Sequence, residues 1–156
     1  MTAEMTWQTA MNYLGHREAT AAMVRLYLKI KGHSAEAAAQ AVAKLVDLQL
    51  VNDERWARIM IRDAMRARRG DGYISGKLRE KGVKVDREVL GVWIEEERLQ
   101  LGNDPIEEAF AWAERRYGRV EEKDYRSRNR VLQGLVRRGF SFSIAKAVLA
   151  RLGAGE

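Results

Sequence analysis

The sequence predicts an all-α fold, arranged as an elongated array of three tandem three-helix, helix-turn-helix-like repeats. Three observations carry the prediction. Apolar residues recur at helical spacing, as in Val24 and Leu28 or Val42 and Leu45, within alanine-rich stretches of high helix propensity. No segment of strict alternation bounded by turn residues reads as a strand, and Pro105 is the only proline, so helix is permitted almost everywhere. The third observation is a recurrent ending, Lys31-Gly32, Lys81-Gly82 and Arg138-Gly139. Glycine there supplies the left-handed residue that stops a helix, and the basic neighbour complements the helix dipole.

Taken in order, Thr6-Trp7 opens a first helix that leads into Met11 and Leu14. Basic amphipathic helices follow over residues 20–31, 73–81 and 125–138, each closed by one of the glycine endings. A capping residue comes next each time, Ser34, Asp86 and Ser141, ahead of an apolar helix containing Val42 and Leu45, Leu90 and Ile94, or Val148 and Leu152. Asn52-Asp53 and Asn103-Asp104 open the remaining helices, which carry Trp56, Ile59 and Met60 in one case and Phe110, Trp112 and Tyr117 in the other. The period is about 50 residues, one three-helix unit, and places the repeats at 5–50, 53–100 and 103–153. Short turns between helices are usual in helix-turn-helix units, but that shape does not by itself imply DNA binding.

The composition excludes several classes of protein. With 156 residues the chain can bury a core without disulfides or metal. There is no cysteine, which excludes thiol catalysis and cysteine-ligated zinc or iron–sulfur centres. No apolar run approaches the roughly 20 residues of a membrane span. Met1-Thr2-Ala3-Glu4 does not begin a signal peptide, so the cytoplasm is the expected compartment.

Charge is unevenly placed. The net charge is +6, yet residues 1–53 hold five basic and five acidic groups. The excess concentrates in residues 55–84, with ten basic against three acidic, and in 115–138, with nine against three. Such clusters are the footprint of a partner of nucleic acid or of an acidic protein surface. Within the first cluster, Arg55, Arg58, Arg62, Arg66 and Arg69, at spacings of 3, 4, 4 and 3, fall within an arc of about 80° on one helix. Trp56, Met60, Ala64 and Ala67 face the core on another arc. Only Asp63 dilutes the stripe, so it reads as a binding face rather than a solvated one. A second stripe runs through Arg119, Lys123, Arg126, Arg130 and Arg137, provided that stretch is one helix. Between the two, Arg68, Gly70, Gly72, Lys77, Arg79, Lys81 and Lys84 form a flexible basic turn entering a basic helix, whose amides could hold a phosphate. The turn lacks the spacing of a nucleotide-binding P-loop.

The remaining candidates read as structural. Trp7, Trp56, Trp93 and Trp112 sit on apolar faces. Glu95-Glu96-Glu97 cannot converge on one ion, because consecutive helical residues point about 100° apart, and reads as a solvated face. His16 and His33 lie near turns without partners at ligand spacing. No nucleophile–base–orienter set is visible, so neither catalysis nor a cofactor nor a metal is expected.

Four blocks together resemble the RecX family over nearly the whole chain. Tyr13-Leu14, Arg17-Glu18, Thr20, Val24, Leu28 and Lys31-Gly32 are similar to its opening pattern, and Leu50-Val51-Asn52-Asp53-Glu54-Arg55-Trp56-Ala57 to its Tyr-Leu-Asp-Asp-x-Arg-Phe-Ala block. Arg69-Gly70-Asp71-Gly72-Tyr73-Ile74, Leu78 and Lys81-Gly82-Val83 resemble its Gly-x-Gly turn and following helix. Arg137-Arg138-Gly139-Phe140, with Ile144 and Val148, resembles its closing segment. Met23, Tyr27 and Leu50 depart from the pattern and make the first repeat less polar. The resemblance implies a non-enzymatic regulator that lodges in the groove of a RecA–DNA filament. There it restrains filament growth, ATP hydrolysis, strand exchange and co-protease activity. Arg55, Arg58, Arg62, Arg66, Arg69, Lys77, Arg79, Lys81, Arg126, Arg130 and Arg137 are the expected filament- or DNA-facing residues. The expected partners are the recombinase filament and single- or double-stranded DNA, met by a monomer. The competing reading is a stand-alone helix-turn-helix-like DNA-binding protein, possibly a transcriptional one, which would need a base-reading recognition helix and typically a two-fold dimer.

Overall fold

Most of the helices begin where a side chain accepts from the free amides of the first turn. The computed structural model, which describes residues 2–154, has nine α-helices and no strand among the described residues. They are α1 (Ala3–Leu14), α2 (Ala21–Ile30), α3 (Ala35–Asp47), α4 (Asp53–Arg66), α5 (Asp71–Glu80), α6 (Arg87–Leu101), α7 (Pro105–Tyr117), α8 (Tyr125–Arg137) and α9 (Phe142–Ala154).

The expected caps Ser34, Asn52 and Ser141 accept from Ala37, Arg55 and Ile144 at 3.1, 3.0 and 3.2 Å, and a cap of this kind is worth about 1 kcal/mol. Asp104 and Asp124 do the same for α7 and α8. Asp86 holds the extended backbone of a cap but makes no side-chain capping bond. The first helix differs from expectation. Thr2 caps it by accepting from Met5 at 3.1 Å, so α1 opens ahead of Thr6-Trp7. Thr6, one turn further on, lies on the inner face, where its hydroxyl donates to the Thr2 carbonyl and meets His33 Nδ1 at 2.8 Å.

The glycine endings are present at all three positions. Gly32, Gly82 and Gly139 have φ of 94, 77 and 98°, a region costly to residues with a Cβ. The next amides, of His33, Val83 and Phe140, reach back to the carbonyls of Leu28, Leu78 and Leu135 at 3.0, 2.9 and 3.1 Å. This is the bond that closes a Schellman ending, and both residues that it joins are buried in all three cases.

The chain divides into two compact units. One comprises Met1–Ile59 and Leu78–Val85. Its core joins Ala10 and Leu14 of α1, Val24 and Leu28 of α2, Val42 and Leu45 of α3, and Val51. The other comprises Met60–Lys77 and Asp86–Glu156. Its core joins Ala109 and Ala113 of α7, Val131 and Leu135 of α8, and Val148 and Leu149 of α9. The division runs through α4 and α5. On α4 the buried residues are Ala57, Ile61, Ala64 and Met65. Trp56 and Met60 are only half-buried and Ala67 is exposed, unlike the expected core arc. The helix stops at Arg66 and the chain reverses through Arg68, which takes a left-handed φ of 54°, so Ala67 lies in the turn.

Candidate functional site

The arginines of α4 have partners that their own segment does not reveal. Arg55 Nε donates to Glu18 at 2.9 Å and its Nη1 to the Gln49 carbonyl at 3.0 Å. Arg58 pairs with Glu54 at 3.2 Å, one turn earlier. Arg62 donates to both oxygens of Glu97 at 3.0 Å, and that carboxylate is only 2% exposed. Arg66 lies 3.6 Å from Asp63 in an open, weak pair. Arg69 has left the helix and rests over the Tyr73 ring at 4.6 Å. The stripe is therefore shorter than the sequence suggests, and it is largely neutralised by Glu54 and Asp63 of α4, Glu18 of the 15–20 connection and Glu97 of α6.

The glycine turn at 67–72 is tied down. Gly70 N donates to the Arg138 carbonyl at 3.0 Å and Gly72 N to the Gly139 carbonyl at 2.9 Å. The Arg138 guanidinium in turn caps the carbonyls of Ala67 and Arg68. These amides are therefore not available to a phosphate. Burial, reinforced by the nearby Arg69 and Arg116, pulls the Arg138 pKa below its ordinary value.

Of the second stripe, Arg119 and Lys123 fall in the 118–124 connection, not on α8. Arg126, Arg130 and Arg137 do share α8, within an arc of about 40° at 100° per residue, and all three are exposed. Among the described residues none of them has an ion-pair partner within 4.0 Å, although Asp124 at the head of the helix feels both Arg126 and Arg130. Arg137 also reaches a groove of 670 Å³ shared with Arg69 and Arg98 and floored by Tyr73, Phe140, Phe142 and Ile144. Phe142 is 56% exposed and Tyr125, at the start of α8, is 78% exposed. Aromatic rings beside unpaired guanidiniums suit the face of a base or the edge of an apolar side chain. Sequence reasoning missed these two rings, whose only signal is an aromatic at the first position of a helix. Arg79 and Lys84 are exposed, Lys77 is half-buried, and Lys81 Nζ lies 3.9 Å from Glu80.

Comparison with known proteins places this arrangement. Family models match residues 7–45 as the first three-helix domain of RecX and residues 103–149 as the third. A regulatory protein RecX from Syntrophotalea carbinolica is 31% identical over 150 residues, which cover 88% of this chain and 90% of that one. The chain belongs to the RecX family. A RecX regulatory protein from Lactobacillus johnsonii is 36% identical over 80 residues, 51% of this chain but 30% of that protein's length. The crystal structure of RecX from Lactobacillus salivarius superposes with a TM-score of 0.75 at 24% identity, over 97% of each chain, which shows the same fold.

The other side chains singled out in this RecX chain are structural. His33 is buried, with Nδ1 on Thr6 and Nε2 3.2 Å from Thr9 Oγ1, so both ring nitrogens are engaged. Glu97 is not on a solvated face as its triplet suggests. It turns inward to Arg62, while Glu95 and Glu96 stay exposed and Glu95 pairs with Arg98. Among the described residues no group of acidic, histidine or cysteine side chains could hold a metal ion, and no helix is long and apolar enough to cross a membrane.

Proposed function

We propose that this chain regulates a RecA-type recombinase by binding in the groove of the recombinase–DNA filament. It restrains filament growth and the ATP hydrolysis, strand exchange and co-protease activity that depend on it, without chemistry of its own. Membership of the RecX family supports the target. The observation that carries the contact is the α8 face, where Arg126, Arg130 and Arg137 are exposed and unpaired on one arc. Three cations without internal partners can meet phosphates or acidic protomer edges at no cost in broken ion pairs.

In this reading Arg55, Arg58, Arg62, Arg66, Arg69, Lys77, Arg79 and Lys81 also contribute to filament or DNA contact. The arginines already paired contribute less, since a phosphate must first displace a carboxylate. The three-helix groups at 5–50, 53–100 and 103–153 are the units that engage the filament, a division supported by family matches inside the first and the third. The protein acts in the cytoplasm as a monomer.

The decisive experiment is ATP hydrolysis by a bacterial recombinase on single-stranded DNA, titrated with this protein below one copy per protomer. Loss of hydrolysis at substoichiometric amounts, relieved when Arg126, Arg130 and Arg137 are all changed to Glu with the helical circular dichroism intact, is the expected result. Unaffected hydrolysis alongside tight binding to bare duplex DNA would overturn it in favour of a stand-alone DNA-binding protein.

A further inference from the structure

One joint is built twice in this molecule. In the first unit the Thr20 hydroxyl, at the head of α2, donates to the Lys81 carbonyl at 2.7 Å. Gly82 then sits so close to Ala22, the second residue of α2, that a Cβ on it would stand 2.4 Å from the alanine methyl. In the second unit the head of α5 repeats the arrangement. Gly70 and Gly72 donate to the carbonyls of Arg138 and Gly139, and a Cβ on Gly139 would stand 2.4 Å from Tyr73 N. Each joint therefore needs a basic-Gly turn on one side. On the other it needs a helix head with a donor at the cap and alanine or glycine at the second helical position.

Two halves are left over. The Lys31-Gly32 turn has the same left-handed glycine and the same closing bond as its two counterparts. Both its residues are exposed, and among the described residues their carbonyls accept no hydrogen bond. Beside it Leu26 and Ile30, one turn apart on α2, are 58% and 72% exposed. At the matching places before Lys81, α5 has Gly76 and Glu80. The spare helix head is that of α8, but there the second position holds Arg126 in place of alanine or glycine, and Tyr125 precedes it. A second copy of this chain thus offers no head that the Lys31-Gly32 turn can enter, since its α2 and α5 heads are filled by its own turns.

We infer that the Lys31-Gly32 turn, flanked by Leu26 and Ile30, is a docking surface for a helix head of the protein this chain regulates. The site it takes has a hydroxyl residue or glycine at the cap, alanine or glycine at the second helical position, and apolar residues nearby to cover Leu26 and Ile30. The inference rests on the proposed function, which supplies a protein partner, and goes beyond it by assigning the contact to the end of α2, whose residues belong to neither basic cluster.

The test places a photo-activated benzophenone side chain at Ile30 and, as a control, at Glu80. Each full-length variant is then sedimented with recombinase filaments on single-stranded DNA and irradiated. Cosedimentation of both variants, with a cross-link from position 30 alone to a protomer at a helix head of the stated composition, is the expected result. Cosedimentation with no cross-link from position 30, or with one to DNA or to a second copy, overturns this assignment and leaves the proposed function standing. Failure of the unmodified chain to cosediment removes the proposed function and this inference with it. A second variant needs no cross-linker. Leu26→Lys with Ile30→Lys touches only exposed side chains and should weaken filament binding by roughly tenfold or more, the weight of one well-packed interface side chain. Unchanged binding by a folded double variant also overturns the assignment.

Discussion

The backbones of Gly70 and Gly139 meet so closely that a Cβ on Gly70 would stand 2.4 Å from the Gly139 carbonyl carbon and from Phe140 N. Backbone cannot yield as a flexible side chain does. Gly70→Ala should therefore cost about 1–3 kcal/mol, the usual range for overpacking. Gly91 lies within α6 with nothing within 4 Å of its would-be Cβ, and Gly91→Ala should stabilise by about 0.5–1 kcal/mol. Urea unfolding of the two variants checks both signs. Equal effects would mean that the joint between the turns is loose in solution.

Arg62 pairs with a buried carboxylate, that of Glu97. Arg62→Ala strips a charged partner from a group with little access to water, and a destabilisation of about 1–3 kcal/mol follows. Arg66→Ala removes an open pair at 3.6 Å and should change stability by less than about 0.5 kcal/mol. Thermal unfolding separates the two. A charge change at Arg62 accordingly reports on folding as much as on binding.

Asp124 heads α8 by accepting from Ser127, and that bond, helped by Arg130 and Arg126, holds its pKa below the ordinary carboxylate value. A lowered folded pKa means stabilisation that is present above the unfolded pKa and is lost as pH falls through the folded one. Hydrogen exchange at the Ser127 amide should therefore be slower in the parent than in Asp124→Ala at neutral pH. The difference should shrink as pH falls through the lowered folded pKa and the parent loses its carboxylate. A difference that persists in acid would place the protection elsewhere.

If Arg126, Arg130 and Arg137 meet phosphates, replacing all three by Ala should flatten the dependence of log affinity for single-stranded DNA on log salt by about 2, near 0.7 per lost contact. Fluorescence anisotropy across a salt series gives the slope. An unchanged slope would assign the DNA contacts to other cations.

Much of the architecture was legible in residue order because its signals are local. A basic residue and glycine after a helix, or Ser34 and Ser141 before one, act within a single turn, and all are found in place. The functional surface was legible only in part, for the opposite reason. Arg55 meets Glu18 and Arg62 meets Glu97 across 37 and 35 residues of chain, so a stripe that looks unopposed in its own segment is opposed in the fold. The break at Arg66 was missed because Ala67 and Arg68 are good helix formers, and tertiary contact with Arg138 overrides that preference. Arg119 and Lys123 were drawn into a helix that begins only after Asp124.

The core of α1, α2 and α3 closes with Val51, whereas the turn that covers the head of α2 arrives only with Gly82. During synthesis the 31 residues from Asn52 to Gly82 take roughly 2–6 s to emerge at about 5–20 residues per second. If the first group packs as it emerges, its Thr20 hydroxyl and Ala22 methyl stay uncovered for that interval. The order of emergence thus lets the partner turn find a surface already formed, and a translational pause between Val51 and Gly82 lengthens the time in which a chaperone can reach it.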